Sequence, residues 1–121
     1  MRNYFDMQMK TLHQELKEMG GLCQLTISKT DQLLHNGHVE VIKSIVAQED
    51  QINQKERDIE SLCLKLLLRQ QPVASDLRKI SAALKMITDM ERIGDQALDI
   101  GEIVETGKIL EGKDPDLLGR M

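Results

Sequence analysis

From Ser75 to Gly107 apolar residues return every three or four positions for about nine helical turns, with no proline to interrupt them. A run of that length and period specifies one continuous amphipathic helix, and a long helix with one apolar face must find other helices or a sheet to cover it. Pro72 stands just ahead. Because a residue before proline is pushed out of the helical region, the sequence predicts a break at Gln71 and a restart with Ser75 as N-cap and Asp76 in the first turn. On a helical wheel Ile80, Leu84, Ile87, Gly94 and Leu98 define the centre of the apolar face.

Two further stretches show the same period. Between about Asn3 and His35, residues Phe5, Met9, Leu12, Leu16, Met19, Cys23, Thr26 and Leu33 fall on one face, and Asn36-Gly37 supplies the stop. Gly20-Gly21 in mid-run weakens this helix by about 1 kcal/mol per glycine relative to alanine, so a bend or frayed turn is expected there. Between about Val39 and Arg69 the stripe is Val41, Ile45, Ile52, Ile59, Cys63 and Leu66. No segment alternates as a strand. Three helices joined by short links pack up-down-up, so the expected fold is all-α, an elongated antiparallel three-helix bundle over residues 1–113. Beyond Asp114-Pro115, residues 114–121 read as the start of another element.

Composition narrows the function. Aromatics are only 2% and the net charge is −4, so there is no basic stripe for a phosphate backbone and nucleic acid is not expected as a partner. The N-terminus lacks the apolar centre of a signal peptide, and the longest apolar cluster, LCLKLLL, is too short to cross a bilayer. Cys23 and Cys63 form no CxxC pattern and keep phase with apolar neighbours, which marks them as buried thiols. These features describe a soluble cytoplasmic chain. There is no ExxH, P-loop or GxGxxG, and the residues three before His13, His35 and His38 are Lys10, Gln32 and His35. No nucleophile and base are paired in the pattern, so an enzyme is not expected and the histidines read as solvated surface residues.

The apolar phase is broken by acids. Glu91 falls roughly 40° from Ile87 on the third helix, with Asp95 about 80° round on the same side and Glu102 further along that edge. Carboxylates four apart have Cβ atoms about 5 to 6 Å from one another, close enough to share a cation. The second helix repeats the arrangement, with Glu49 and Glu56 in register with Ile45, Ile52 and Ile59, and Asn53 and Glu60 at the edge. Such oxygen-only donors suit hard or borderline cations such as Mg, Mn, Fe or Zn. The plainer reading is that these acids border the bundle and pair with Lys55, Lys85 or Arg92.

The most specific signal is the order of three segments: IESLCLKLL at 59–67, QQPVASDLR at 70–78 and DMERIGD at 89–95. Together they resemble the PhoU family of phosphate-signalling regulators, and the likeness to one of that family's three-helix repeats extends over nearly the whole chain. The resemblance implies a cytoplasmic adaptor that restrains the phosphate-starvation response, partnered by the phosphate ABC transporter ATPase and a sensor histidine kinase, and held at the membrane through them. Some relatives bind multinuclear metal clusters through E(D)xxxD pairs on neighbouring helices. Glu91 and Asp95 match that pattern. The aligned pair on the second helix is Glu49 and Asn53, where an amide replaces a carboxylate, so the implied metal ligands are Glu49, Asn53, Glu91 and Asp95.

Family members carry two tandem repeats and this chain supplies one, as a fragment or a natural half-length protein. A lone repeat with an uncovered apolar patch is expected to form a two-fold homodimer. The alternative to the regulatory role is a structural helical dimerisation or interaction module without a phosphate function.

Overall fold

The computed structural model describes residues 2–69 and 72–113, with side-chain environments for 3–68 and 72–107. Three α-helices account for nearly all of the described residues: α1 (Arg2–Asn36), α2 (Val41–Arg69) and α3 (Ala74–Lys113). Each packs against both of the others. The early part of α1 meets the middle of α2 through Glu15 and Lys55, and its late part meets the start of α2 through Thr26 and Gln48. That order makes α1 and α2 antiparallel. Ile42 lies against Gly101 and Ile52 against Gly94, so α2 and α3 are antiparallel as well.

The junctions follow from local chemistry. Gly37 takes φ 67°, a conformation that costs other L-residues about 1 kcal/mol or more, and its N–H donates to Leu33 O at 2.8 Å to close α1. α2 begins at Val41, two residues later than the sequence suggested, because residues 39–40 form a turn with Val41 N–H donating to His38 O at 3.1 Å. α3 starts at Ala74 rather than after a Ser75 cap. Val73 is the N-cap residue; its own N–H donates back to Asp76 Oδ2 at 3.3 Å, and its carbonyl accepts from Leu77 N–H at 3.0 Å. Asp76, the third helical residue, therefore supplies the returning half of a capping box, and it is buried. α3 continues to Lys113, well past Gly107, and the segment 114–121 lies outside the described residues. α1 runs unbroken through Gly20-Gly21.

The core has two parts. The larger gathers Phe5, Leu12, Met19, Ile52, Ile59 and Ile87 with their neighbours, and the smaller joins Leu33, Ile42, Ile45 and Ala97 near the α1–α2 turn. Each fully buried Ile or Leu contributes about 1.5–3 kcal/mol over its exposed state. Near the level where the two parts meet, Thr26, Thr30 and Gln48 are buried. Thr26 Oγ1 lies 2.8 Å from Leu22 O and 3.2 Å from Gln48 Oε1, while Thr30 Oγ1 donates to Thr26 O at 2.8 Å. On α3 the centre of the buried face includes Ala83 and Ala97, whereas the expected Leu84 and Leu98 are half-buried. Small residues hold that line because α3 comes close to its neighbours there: a Cβ on Gly94 would sit 3.4 Å from Ile52 Cδ1.

Candidate functional site

The acid residues of α2 and α3 meet where the two helices approach at Gly94. The α2 register puts Glu49 against Gly94, with Glu49 Cγ only 3.5 Å from where a Gly94 Cβ would stand. Glu91 precedes that glycine by almost one turn and Asp95 follows it directly, so both sit at the same junction. Glu49, Asn53, Glu56 and Glu91 are half-buried and Asp95 is exposed. Asn53 Nδ2 donates to Glu49 Oε1 at 2.6 Å. The four residues singled out in the sequence thus share one junction between two helices, as pairs on facing elements.

The electrostatics of the junction are those of crowded like charges. A hydrogen bond between the Glu91 and Asp95 carboxyls, reinforced by partial burial and by the charges of Asp95, Glu56 and Glu49, pushes Glu91 up to about 7. Burial, together with the charges of Glu60 and Asp95, also raises Glu56. Glu56 was named by the apolar phase but is absent from the ligand set that the family resemblance implies. Its spacing of seven from Glu49, in phase with Ile52 and Ile59, was the signal that it belongs on the same side.

Lys55 does not supply the compensating charge. Its ammonium turns to α1 and pairs with Glu15 and Glu18, which raises Lys55 and lowers Glu18. Among the described residues no ion pair joins Lys85 or Arg92 to the acids, and both cations are exposed. The reading in which Lys55 neutralises this edge is corrected accordingly: position 55 lies on the α1 side of α2. The histidines are exposed, and Cys23 and Cys63 are buried, free thiols raised by desolvation, Cys63 to about 11.

As a cation site the junction is right in donor type and open in arrangement. Its donors are all oxygens, which suits hard cations. Among the described residues no three of His, Cys, Asp and Glu already converge as a metal cage. A cation here would draw in Glu49, Glu91 and Asp95, with the Asn53 amide oxygen as a neutral fourth donor once its amide leaves Glu49.

Among the described residues no helix is long and apolar enough to cross a membrane. Residues 16–104 match the model of the PhoU domain. The chain is 38% identical over 102 residues to a phosphate-specific transport system accessory protein PhoU homolog of Synechocystis, covering 84% of this chain and 46% of that protein. Proteins of the same description from Clostridium acetobutylicum and Pseudomonas aeruginosa are 33% and 37% identical, covering 86% and 77% of this chain and 48% and 38% of theirs. The chain thus spans less than half the length of these curated relatives. No solved structure matches it significantly.

Proposed function

Since the chain belongs to the PhoU family, we propose that it works as an accessory adaptor of phosphate uptake, restraining the phosphate-starvation response through contacts with the transporter ATPase and a sensor kinase. The family is one of accessory and regulatory proteins, not of enzymes, so the activity proposed is recognition. The single observation that carries this reading is the match across residues 16–104, which takes in all of α2, most of α1 and α3, and the acid junction. A cytoplasmic location at the membrane face follows from such partners.

The acid junction enters the proposal as a place for divalent or iron-type cations, Fe, Zn, Mn or Mg, held by Glu49, Asn53, Glu91 and Asp95. What supports it is the concentration of carboxylates on two facing helices, where Glu56 stays raised in spite of nearby Arg57 and Glu91 is pushed up to about 7, since crowded anions gain most from a bound cation. Bound metal would supply positive charge that locks α2 to α3. Self-association into a two-fold homodimer belongs to the same proposal.

The alternative reading is a helical interaction module without a phosphate role. Pull-down of the transporter ATPase and the sensor kinase by this chain separates the two. Capture of either supports the adaptor, and capture of neither overturns it in favour of the module.

A further inference from the structure

The run LCLKLLL at 62–68, the longest apolar cluster of the sequence, is not used up by the core. Leu62 and Leu67 pack against the larger cluster and Leu66 is buried in it, yet Leu64 and Leu68 face solvent. Leu68, in the last turn of α2, is 82% exposed. The other two helices contribute to the same end of the bundle, since α1 and α3 both start where α2 finishes. Met7 is 65% exposed and Tyr4 53%, and Val73 and Leu77, four apart at the start of α3, are exposed as well. Six large side chains with apolar bodies thus project from three helices at one end. They form no groove, for none of them lines the clefts between α1 and α2 or between α1 and α3. A partner helix needs a groove to lie in, whereas separate projecting tips suit a fluid apolar layer that moulds itself around them.

The charge around those tips is positive. Residues 3–10, 61–68 and 72–80 carry four cations, Lys10, Lys65, Arg78 and Lys79, all exposed, against two acids, Asp6 and Asp76. Asp76 is buried and accepts from the Val73 N–H, so the exposed charges stand four to one. The opposite end reverses the sign. Residues 27–47 and 97–107 hold five acids, Asp31, Glu40, Asp99, Glu102 and Glu105, against Lys29 and Lys43. The exposed Leu34 and Ile103 there stand among acids, which sets them apart from the leucines of the basic end. A chain of formal charge −4 is repelled from an anionic surface in most orientations. Its two ends are nevertheless independent: the 29 residues of α2 span about 44 Å, some four or more times the Debye length of about 8–10 Å. An anionic surface that meets the basic end is therefore screened from the acids of the other.

We infer that the end of the bundle where α2 gives way to α3 is a contact surface for an anionic lipid bilayer, with Met7, Leu64, Leu68, Val73 and Leu77 entering the boundary between headgroups and acyl chains and the four cations meeting lipid phosphates. Lysine and arginine stems lie along apolar surface while their charged heads stay in the headgroup layer, so the two kinds of side chain do not compete for depth. Tyr4, with an apolar ring and a polar tip, belongs at the same level. The helices then stand end-on to the surface, and the acidic end points to water. Among the described residues no helix crosses a membrane, so the contact is peripheral and reversible. Each exposed cation strengthens such binding about fivefold. The inference goes beyond the adaptor reading and does not rest on it, because contact with lipid requires neither transporter nor kinase.

Co-sedimentation of the 121-residue chain with vesicles of phosphatidylcholine alone, or with about one third phosphatidylglycerol, tests this with no other protein present. Binding to the mixed vesicles should be at least about tenfold stronger than to phosphatidylcholine alone, and should weaken as salt rises from about 0.1 M to about 0.5 M. Lys65→Gln with Lys79→Gln should weaken it about 25-fold, and Leu64→Gln with Leu68→Gln at least about tenfold. All four side chains are exposed, so both variants should keep the wild-type circular dichroism. Lys43→Gln with Ile103→Gln, at the acidic end, should bind as the wild type does. The chain has no tryptophan, so Leu68→Trp supplies a single reporter whose emission should shift to the blue and be quenched by brominated lipid, while Ile103→Trp should show neither effect. Failure to bind the mixed vesicles overturns the lipid contact and leaves the surface to an acidic protein. Binding that survives both variants of the basic end, or quenching of Ile103→Trp in place of Leu68→Trp, overturns the assignment of that contact to this end.

Discussion

Gly20 and Gly21 offer a test of how α1 is held. Both lie in an unbroken helix with ordinary negative φ, and a Cβ built on either meets nothing within 4 Å. Replacing each by alanine therefore adds helix propensity without strain, about 1 kcal/mol per site. With an unfolding entropy of about 2.1 cal/mol/K per residue, 121 residues give about 0.25 kcal/mol/K. One kcal/mol then moves Tm by about 4 °C, and the double variant should melt about 8 °C higher by ellipticity at 222 nm. Gly37→Ala is the opposite control. With φ 67° it should lose about 1 kcal/mol or more and melt about 4 °C lower. The two mid-helix sites also face different clefts, Gly21 the one between α1 and α2 and Gly20 the one between α1 and α3. Each single substitution should therefore give about half of the gain. An unchanged or lower Tm for Gly21→Ala would refute the claim that α1 passes through this point unstrained and uncovered.

Three other outcomes follow from the junction and the thiols. Glu91→Ala with Asp95→Ala should lower the metal content of protein purified without chelator while preserving the ellipticity at 222 nm; unchanged stoichiometry by elemental analysis rejects these ligands. In metal-free protein the folded state keeps the Glu91 proton to about pH 7, whereas the unfolded chain releases it near 4.5. The folded state thus binds more protons between those values, so this group's contribution to stability falls as pH rises through that window. Urea midpoints at pH 5 and 7.5 should show that decline in the wild type and less of it in Glu91→Gln; equal slopes contradict the carboxyl pair. Finally, Cys23 and Cys63 should react with a thiol reagent at pH 7.5 at least about tenfold slower in the native protein than in urea, because both are buried and held as thiols. Fast labelling of the native protein would count against the packed core.

The helices were legible because their signals are local. Apolar spacing, Gly37 and Pro72 fixed three elements and their order without any distant contact. The cap at Val73 was not legible by residue preference, since valine is a poor cap on its own; the work is done by Asp76 reaching back, and the sequence shows only that Asp76 is near a helix start. Ala83 and Ala97 were passed over for Leu84 and Leu98 because a wheel rewards large side chains. How close two helices come decides which positions must be small, and that distance is a tertiary quantity. The acid residues were found from phase alone, but the destination of Lys55 was not. A lysine stem reaches either of two neighbouring helices, and only their packing shows that Glu15 and Glu18 are the nearer acids.

The divided core has a consequence for how the bundle breathes. The smaller cluster of Leu33, Ile42, Ile45 and Ala97 buries far less apolar area than the larger one, and the belt of Thr26, Thr30 and Gln48 separates them with hydrogen bonds that water can replace. Opening the α1–α2 turn end therefore exposes little hydrocarbon and need not disturb the packing around Phe5 and Ile87. Amide protons of residues 30–45 and of α3 beyond Ala97 should exchange in one cooperative unit well before those around Ile59 and Cys63. The acid junction lies at the boundary of that unit, so any cation bridging α2 and α3 there would slow exchange on the mobile side while leaving the other half of the molecule almost unaffected.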